Sequence, residues 1–317
     1  MKKIIFGFVV SLLMFASAHA QQFAGKEIVI ITSFPVGSGP DVVLRRLQPQ
    51  LAQVWQATVI VENRPGGNGT IAFNACRQAL DNKNIVPLCY TEAAVLWAHP
   101  LVTGNPELTS SLKLLIPSHV ADLVLVAPNN VKNLQDLKAL IEQRRNFGSW
   151  AVGSVGQISS NQVSEHFKVQ SDHVPYRDYN QWLVDISNSQ LPFSFVTVGS
   201  SQAMLRLGKV HYLAIANETR DPLYPDLPTV NEFLGTKNFI NLRAIGTFFI
   251  DQNIDQTTNR ALYNGLHRVL NRAEVKADLI SRLYRPWNVS ESDSQRVFDR
   301  DRENYYRLLK KYNIEMR

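Results

Sequence analysis

The sequence has few cysteines, little charge, and only one long apolar run, which lies at its N-terminus. Its 317 residues include two cysteines, 16 glycines and 15 prolines, too few for a disulfide scaffold, a collagenous chain or a low-complexity chain. With 45% hydrophobic and 19% charged residues, the composition is that of an ordinary globular protein. A chain of this length forms one large domain or two lobes.

Familiar catalytic and metal-binding motifs are also missing. The sequence has no G-x-S-x-G nucleophile elbow, no G-K-[ST] phosphate loop and no H-E-x-x-H zinc motif, and its histidines lack metal-ligand spacing. Gly37-Ser38-Gly39 begins like a dinucleotide-binding loop, but Val42 stands where its third glycine would be. We therefore expect no catalytic residue, metal or cofactor. Sequence patterns do not reveal a Ser–His–Asp triad assembled from distant residues, so this alternative stays open.

The charge distribution gives little support for nucleic-acid binding. The formal net charge is +6, but the lysines and arginines are scattered and form no basic stripe. A mild positive excess of this kind favours anionic ligands. We expect no nucleic-acid partner.

The N-terminus has the pattern of a secretory signal. Two lysines precede an apolar run over residues 4–15, and a small-x-small cleavage site ends at Ala20. The run is shorter than the ~20 residues that a membrane-spanning helix needs. We expect residues 1–20 to be removed on export, which lowers the net charge to +4 because two lysines and no acids are lost.

Export would place Cys76 and Cys89 in an oxidising compartment, where they can pair if the geometry allows. The chain contains no C-x-x-C motif, which argues against a redox site. We therefore expect a structural disulfide between these two residues.

Apolar periodicity predicts alternating strands and helices. In the first half we predict strands over residues 27–34, 58–61, 85–90, 114–116 and 123–127, and helices over residues 41–55, 71–80 and 134–144. Further along we predict a strand over residues 150–153, a loop over 154–157, a helix over 159–167, and strands over 192–198, 212–216 and 244–250. The repeated order of strand, glycine loop and helix indicates an α/β protein with two related lobes.

The loop after the first strand, residues 35–41, suits anion binding. It leads into a helix, whose first N–H groups have no intrahelical partner and carry a partial positive charge. Such a helix start binds an anion without lysine or arginine. A simple connection between strand and helix is the alternative. Asn68 and Thr70, in a second glycine-rich loop, either contact the same ligand or only turn the chain.

Five separated segments together resemble the Bug family of tripartite tricarboxylate transporter binding proteins. They are IVIITSFPVGSGPDVVLRRL, VIVENRPGGNGTIA, GSWAVGSVGQISS, HVPY at residues 173–176 and RDPLYPDLPTVNEF at residues 220–233. The resemblance implies an α/β type II periplasmic-binding-protein fold, with two lobes and a ligand cleft between them. Residues 21–122 would form the first part of lobe 1, residues 123–240 lobe 2, and residues 241–317 the crossover and return to lobe 1.

The resemblance also implies a function. A protein of this family is an extracytoplasmic receptor that binds a small organic carboxylate without converting it and passes it to two membrane subunits. We accordingly expect a periplasmic monomer. Two other classes stay open, namely an exported hydrolase or isomerase that uses the same cleft, and a ligand sensor for a signalling partner. An enzyme would turn the ligand over, whereas a receptor would release it unchanged.

Finally, the resemblance assigns ligand-binding groups to both lobes, with one ligand carboxylate held by backbone amides and waters at the two glycine loops. The expected ligand-binding residues are Pro35, Val36, Gly37, Ser38, Gly39, Asp41, Asn68, Thr70, Thr91, Glu92, Ser154, Val155, Gly156, Gln157, Thr197 and Ser200. Thr197 and Ser200 would face the far end of the ligand.

Glu92 departs from the family pattern, because relatives usually carry a small neutral residue at this point. An acid near the cleft would repel a second ligand carboxylate, and so would favour a ligand that carries an ammonium or amide nitrogen. The alternative is a side chain that turns toward solvent or pairs with a nearby arginine.

Overall fold

The computed structural model describes residues 22, 23 and 25–314, so the predicted signal over residues 1–20 lies outside the described residues. The chain divides into two compact units. Unit 1 takes its described residues from Met1–Thr91, Ser110–Pro117 and Thr247–Asp278. Unit 2 takes its described residues from Glu92–Thr109, Ser118–Gly246 and Leu279–Arg317. The boundaries of the predicted lobes stay a prediction.

The strands form two mixed sheets. Strands β1 to β11 are, in chain order, Glu27–Thr32, Thr58–Asn63, Ile85–Glu92, Leu112–Ala121, Leu123–Pro128, Asn146–Ser149, Asp172–Pro175, Ser194–Thr197, Val210–Ile215, Ala244–Asp251 and Tyr284–Pro286. One sheet has the order β11-β4-β10-β3-β1-β2 and the other β7-β6-β8-β5-β9. Strand β1 pairs in parallel with β2 and β3, and β6 pairs in parallel with β7 and β8.

Helices connect most of the strands, which confirms the predicted α/β class. Helices α1 to α12 are Gly39–Trp55, Thr70–Ala79, Ala93–Thr103, Glu107–Ser110, Leu134–Gln143, Val155–His166, Tyr179–Ser187, Val198–Arg206, Val230–Leu234, Gln256–Leu270, Ala273–Ser281 and Glu291–Lys311. A 3-10 turn at Gly67–Gly69 precedes α2. Within the described residues, no helix has both the length and the apolar character needed to cross a membrane.

One difference from the sequence prediction concerns the strand that precedes the second glycine loop. The predicted strand over residues 150–153 is wrong, because β6 ends at Ser149 and residues 150–153 form a bend and turn. Helix α6 begins at Val155, so most of the predicted loop over residues 154–157 is the first turn of that helix. Residues of β6 have weak strand propensity, and pairing with β7 and β8 determines where the strand lies.

Helix α3 is absent from the sequence prediction for a different reason. Its residues are apolar on every side, and most of them, from Ala93 to His99, are buried. A helix that is buried all round has no polar face, so its sequence lacks the amphipathic spacing that marks a surface helix.

The core of unit 2 fixes the strand that leads to the second glycine loop. Trp182 of α7 is fully buried, and its ring N–H donates a 3.0 Å hydrogen bond to Ser194 Oγ on β8. Gly148 on β6 lies directly beneath this ring, since a Cβ there would come within 2.4 Å of Trp182 Nε1. Glycine is therefore required at this position for β6 to pack against α7.

In unit 1 a disulfide joins Cys76 on α2 to Cys89 on β3, with the two Cα atoms 6.0 Å apart. Both residues are buried, and the described residues contain no free cysteine. The disulfide therefore links helix α2 to the next strand in the chain, β3.

We predict that reduction of this disulfide lowers the free energy of unfolding by ~3 kcal/mol, because a closed loop of this size restricts the unfolded chain. Urea unfolding of the exported chain with and without reductant measures the difference, and a thiol assay on the denatured, non-reduced protein checks the pairing. Two reactive thiols in that assay would contradict the prediction.

Candidate functional site

In unit 1 the predicted site residues lie at the carboxyl ends of neighbouring parallel strands. In the sheet, β1 lies between β2 and β3, so the two strands that follow β1 in the chain lie on opposite sides of it. Such a reversal of strand order leaves a crevice in which open α/β sheets bind ligands. The loop over residues 35–41 follows β1 at this point, and Thr91 lies near the end of β3.

Internal hydrogen bonds hold the loop over residues 35–41 in place. Ser38 caps helix α1, because its Oγ accepts from the Asp41 N–H and donates to the Pro35 carbonyl at 2.7 Å. Asp41 Oδ2 in turn accepts the Gly37 N–H at 2.8 Å. Asn63 Nδ2 donates to Asp41 Oδ1 at 2.8 Å, which joins the loop to the end of β2.

Asp41 serves this loop as an ionised hydrogen-bond acceptor. Burial of its carboxyl works to raise the pKa, but the bonds from the Gly37 N–H, Asn63 and Arg45 outweigh it and hold the pKa of Asp41 below its ordinary value. The Arg45 guanidinium lies 3.1 Å from Asp41 Oδ1. Both carboxylate oxygens are therefore engaged within the loop.

The second glycine loop, in unit 2, has the same design. Ser154 caps helix α6, with its Oγ accepting the Gln157 N–H at 3.2 Å, and Gln157 Oε1 accepts the Gly153 N–H at 2.6 Å. The glycines that precede the two capping serines, Gly37 and Gly153, have φ angles of +82° and +76°. Both loops thus follow the pattern Gly-Ser-x-x-Asp or Gly-Ser-x-x-Gln.

This design leaves backbone donors available at both helix starts. The capping serines satisfy the N–H groups of Asp41 and Gln157, whereas the N–H groups of Gly39 and Gly156 donate no hydrogen bond to any described residue. The Val36 N–H, in the first loop, is likewise without an acceptor among the described residues. Unpaired N–H groups at a helix start attract an anion through both hydrogen bonding and the helix dipole.

The chain belongs to a known family of receptors by direct comparison. Residues 43–314 match the model of the tripartite tricarboxylate transporter family receptor. This chain is a member of that family. The match begins after the first glycine loop, so the role of residues 35–41 rests on their geometry.

Individual relatives agree with this membership. A UPF0065 protein of Bordetella pertussis is 25% identical over 293 residues, covering 90% of each chain, and the protein BugT of the same organism is 26% identical over 234 residues, covering 71% of each chain. The resemblance to the Bug family is thus confirmed. As a member of a receptor family, the chain is a binding protein rather than an enzyme.

Solved structures show the same fold. The periplasmic binding protein BugD has a TM-score of 0.78 at 18% identity, covering 92% of this chain and 99% of its own. MatC from Rhodopseudomonas palustris, solved with malate, has a TM-score of 0.75 at 19% identity, covering 90% and 98%. An R. palustris protein solved with adipate has a TM-score of 0.79 at 18% identity, covering 92% and 98%. The two-lobed periplasmic-binding-protein fold is therefore confirmed.

Three further predicted residues of this receptor lie in unit 1. The fully buried Thr91 shares a 2.7 Å hydrogen bond between its Oγ1 and Ser33 Oγ. Asn68 has a positive φ of 51°, and its Nδ2 is buried without a hydrogen-bond partner among the described residues. Thr70 Oγ1 donates to the Gly67 carbonyl at 2.6 Å, so it closes the glycine-rich turn at the start of α2.

Two other predicted residues of the receptor lie where β8 leads into α8, in unit 2. Thr197 is the last residue of β8, and β8 is the neighbour of β6, the strand that precedes the second glycine loop. The hydroxyls of Thr197 and Ser200 share a 2.7 Å hydrogen bond, and Ser200 also donates to the Thr197 carbonyl. Their assignment to the far end of the ligand stays a prediction.

Glu92 neither turns toward solvent nor pairs with an arginine. Its side chain is buried at the start of α3, with the residue 5% exposed, and its Oε2 accepts a 3.0 Å hydrogen bond from the Trp150 ring N–H. Its Oε1 is buried without a hydrogen-bond partner among the described residues. Burial raises the pKa of Glu92 to about 8, while Trp150 and the backbone N–H of Val155 act to lower it.

This finding changes the expected effect of Glu92. A carboxyl with a pKa of about 8 is largely protonated at neutral pH and carries no negative charge. The predicted repulsion of a second ligand carboxylate therefore loses its physical basis, because that prediction assumes an ionised side chain.

Sequence reasoning missed three residues that build the receptor's two loops. Asn63 joins the first loop to β2, Trp150 binds Glu92, and Tyr305 of α12 contacts the carbonyls of Ala94 and Gly153 through its hydroxyl. The Gly-Ser-x-x-Asp/Gln pattern was available as a signal in the sequence. Trp150 and Tyr305 come from distant parts of the chain, so no local pattern announces them.

Gly153 is a position in the second loop at which substitution is both strained and crowded. A Cβ there would come within 2.5 Å of the Ala98 Cβ, in addition to the strain of a positive φ. Gly208 offers a matched control, because its φ of +62° is similar and a Cβ there would meet nothing within 4 Å.

We predict that Gly208→Ala lowers the free energy of unfolding by about 1–2 kcal/mol, the cost of left-handed backbone. Gly153→Ala should lower it by roughly 1–3 kcal/mol more, because the added methyl overpacks the interior. Urea unfolding of both variants gives the comparison. Equal losses would mean that the loop does not depend on this close contact.

Proposed function

We propose that this chain is a periplasmic receptor that captures a small organic carboxylate for a tripartite tricarboxylate-type transporter. The supporting observation is the pair of matching glycine loops, each of which presents unpaired backbone N–H groups at the start of a helix. In the proposed complex, the N–H groups of Gly39 and of Gly156 donate hydrogen bonds to the carboxylate groups of the ligand.

Backbone amides suit this function because they recognise a carboxylate whatever the rest of the ligand is. A hydrogen bond to a charged acceptor is stronger than one between neutral groups, and the aligned peptide dipoles add to it. Lysine or arginine is not needed, so ligand selectivity comes from the other groups around the site. Asn68, Thr91, Glu92 and Thr197 are the proposed selectivity residues.

The ligand class is proposed by analogy with structural neighbours. MatC was solved with malate, and another neighbour with adipate. We extend to this chain the binding of a di- or tricarboxylate, an acidic amino acid or an aromatic acid. Membrane subunits of the transporter are the proposed partners, and residues 1–20 are the proposed export signal.

A thermal-shift screen of residues 21–317 tests the proposal. The panel contains malate, succinate, adipate, citrate, glutamate, glutamine and benzoate, with the matching amides and alcohols as uncharged controls. A ligand present at one hundred times its Kd should stabilise the protein by ~2.7 kcal/mol, which raises Tm by several degrees. The bound acid should be recovered unchanged. Absence of any shift, in protein shown by mass spectrometry to carry no copurified ligand, would contradict the proposal.

The role of the Gly39 amide has its own test. Gly39→Pro removes the N–H group while keeping a residue that suits the first position of a helix, and Gly39→Ala keeps the N–H group as a matched control. We predict that the proline variant binds the carboxylate about tenfold or more weakly, because a hydrogen bond to a charged group is lost. The alanine variant should stay within a few-fold of wild type in isothermal titration calorimetry. Equal affinities of all three proteins would remove Gly39 from the site.

A further inference from the structure

Glu92 has a buried carboxyl whose hydrogen bonding is incomplete. Its Oε2 accepts the hydrogen bond from Trp150, while Oε1 has no partner among the described residues although it is buried. Val155, whose N–H acts on this carboxyl, is the first residue of helix α6 in the second glycine loop. An incompletely bonded polar group thus lies beside the start of helix α6.

The burial of this carboxyl determines its protonation state. An ionised carboxylate buried without a cation is strongly disfavoured, so such a group holds its proton instead. Burial accordingly dominates the raised pKa of Glu92. The oxygen that accepts from Trp150 is then the carbonyl oxygen of the acid. We place the proton on the other oxygen, Oε1, which is buried and has no hydrogen-bond partner among the described residues.

The ionisable groups whose pKa Glu92 influences leave this assignment intact. They are Tyr179, the first residue of α7, and Tyr305 of α12, and each has a pKa well above its ordinary value, with burial as the main cause and Glu92 as a contributor. Both tyrosines are therefore neutral over the pH range in which Glu92 titrates. No lysine or arginine among the described residues contributes to its pKa.

We propose that Glu92 binds the ligand as a neutral carboxylic acid and donates a hydrogen bond from Oε1 to a second carboxylate of the ligand. This inference rests on the proposed receptor function and names one residue that selects the ligand. A ligand with two carboxylates would satisfy the donor that the protein leaves unpaired, and helix α6 would add its dipole nearby. An ammonium group at the same place would meet a donor rather than an acceptor.

The dicarboxylate series provides the test. Adipate, adipic acid monoamide, hexanoate and 5-aminopentanoate share one carboxylate and a four-methylene chain, and differ in the group at the other end. The same comparison is made for the chain length that binds best among malonate to adipate. We expect the dicarboxylate to bind more tightly than its methyl and ammonium counterparts at pH 6.5, by about tenfold or more.

The dependence of affinity on pH separates the two charge states of Glu92. Dicarboxylate affinity should be constant below about pH 8 and fall about tenfold per pH unit above it, because the ionised acid cannot donate and repels the ligand.

Glu92→Gln keeps a donor at this position, so it should retain affinity within a few-fold and lose the pH dependence. Glu92→Ala should bind about tenfold or more weakly. Glu165→Gln, at an exposed carboxyl in the same unit, is the matched control and should behave like wild type.

A measurement without ligand checks the protonation directly. Infrared difference spectra of wild type against Glu92→Gln should show the carbonyl band of a protonated carboxylic acid at pH 6.5, lost above about pH 8. Absence of that band at pH 6.5 would overturn the proposal. So would ammonium-bearing ligands that bind more tightly than dicarboxylates, or dicarboxylate affinity equal in wild type and Glu92→Ala. Failure of every carboxylate to bind wild type would instead contradict the proposed function.

Discussion

The unpaired N–H groups at the starts of helices α1 and α6 are the constraint on which the rest of the site depends. A helix start always presents several such donors, and a protein satisfies them with side chains, water or ligand. In both loops a serine caps one donor, and a side chain four residues after the glycine accepts the glycine N–H. The remaining donors, at Gly39 and Gly156, are those that the proposed ligand satisfies.

Rigid support for these donors comes from residues that never need to touch the ligand. Asp41 is ionised and fully engaged by Gly37, Asn63 and Arg45, so the first loop is fixed to the neighbouring strand. Gly153 is packed against Ala98, which fixes the second loop on helix α3. Preorganised donors bind an anion without first rearranging, which is the physical advantage of this construction.

Glu92 adds a polar group that the protein itself does not satisfy. Most buried polar atoms in native proteins have a partner, so an unpartnered oxygen in the interior is an unusual feature. In the proposed receptor this oxygen lies beside the start of helix α6 and supplies a donor for a second carboxylate of the ligand. The same burial that makes the group costly for folding also keeps it protonated, and therefore able to donate.

Local patterns in the sequence were sufficient for the early strands and helices. Residues 27–34 and 41–55 carry clear strand and helix spacing, and β1 and α1 lie close to those predictions. Long-range pairing decides the remainder, as in β6, whose position depends on β7 and β8.

The sequence likewise predicted only part of the candidate site. The sequence identified the two glycine loops, because a loop's own residues determine how it caps a helix. It did not reveal the state of Glu92, because Trp150 lies 58 positions away and burial is a property of the whole fold.

Amide NMR of the uniformly labelled protein tests the central claim most directly. Titration with the carboxylate that binds best should shift the Gly39 and Gly156 N–H resonances downfield together, with one common Kd, since hydrogen bonding to an anion deshields the donated proton. Binding of that carboxylate with both resonances unchanged would contradict the account.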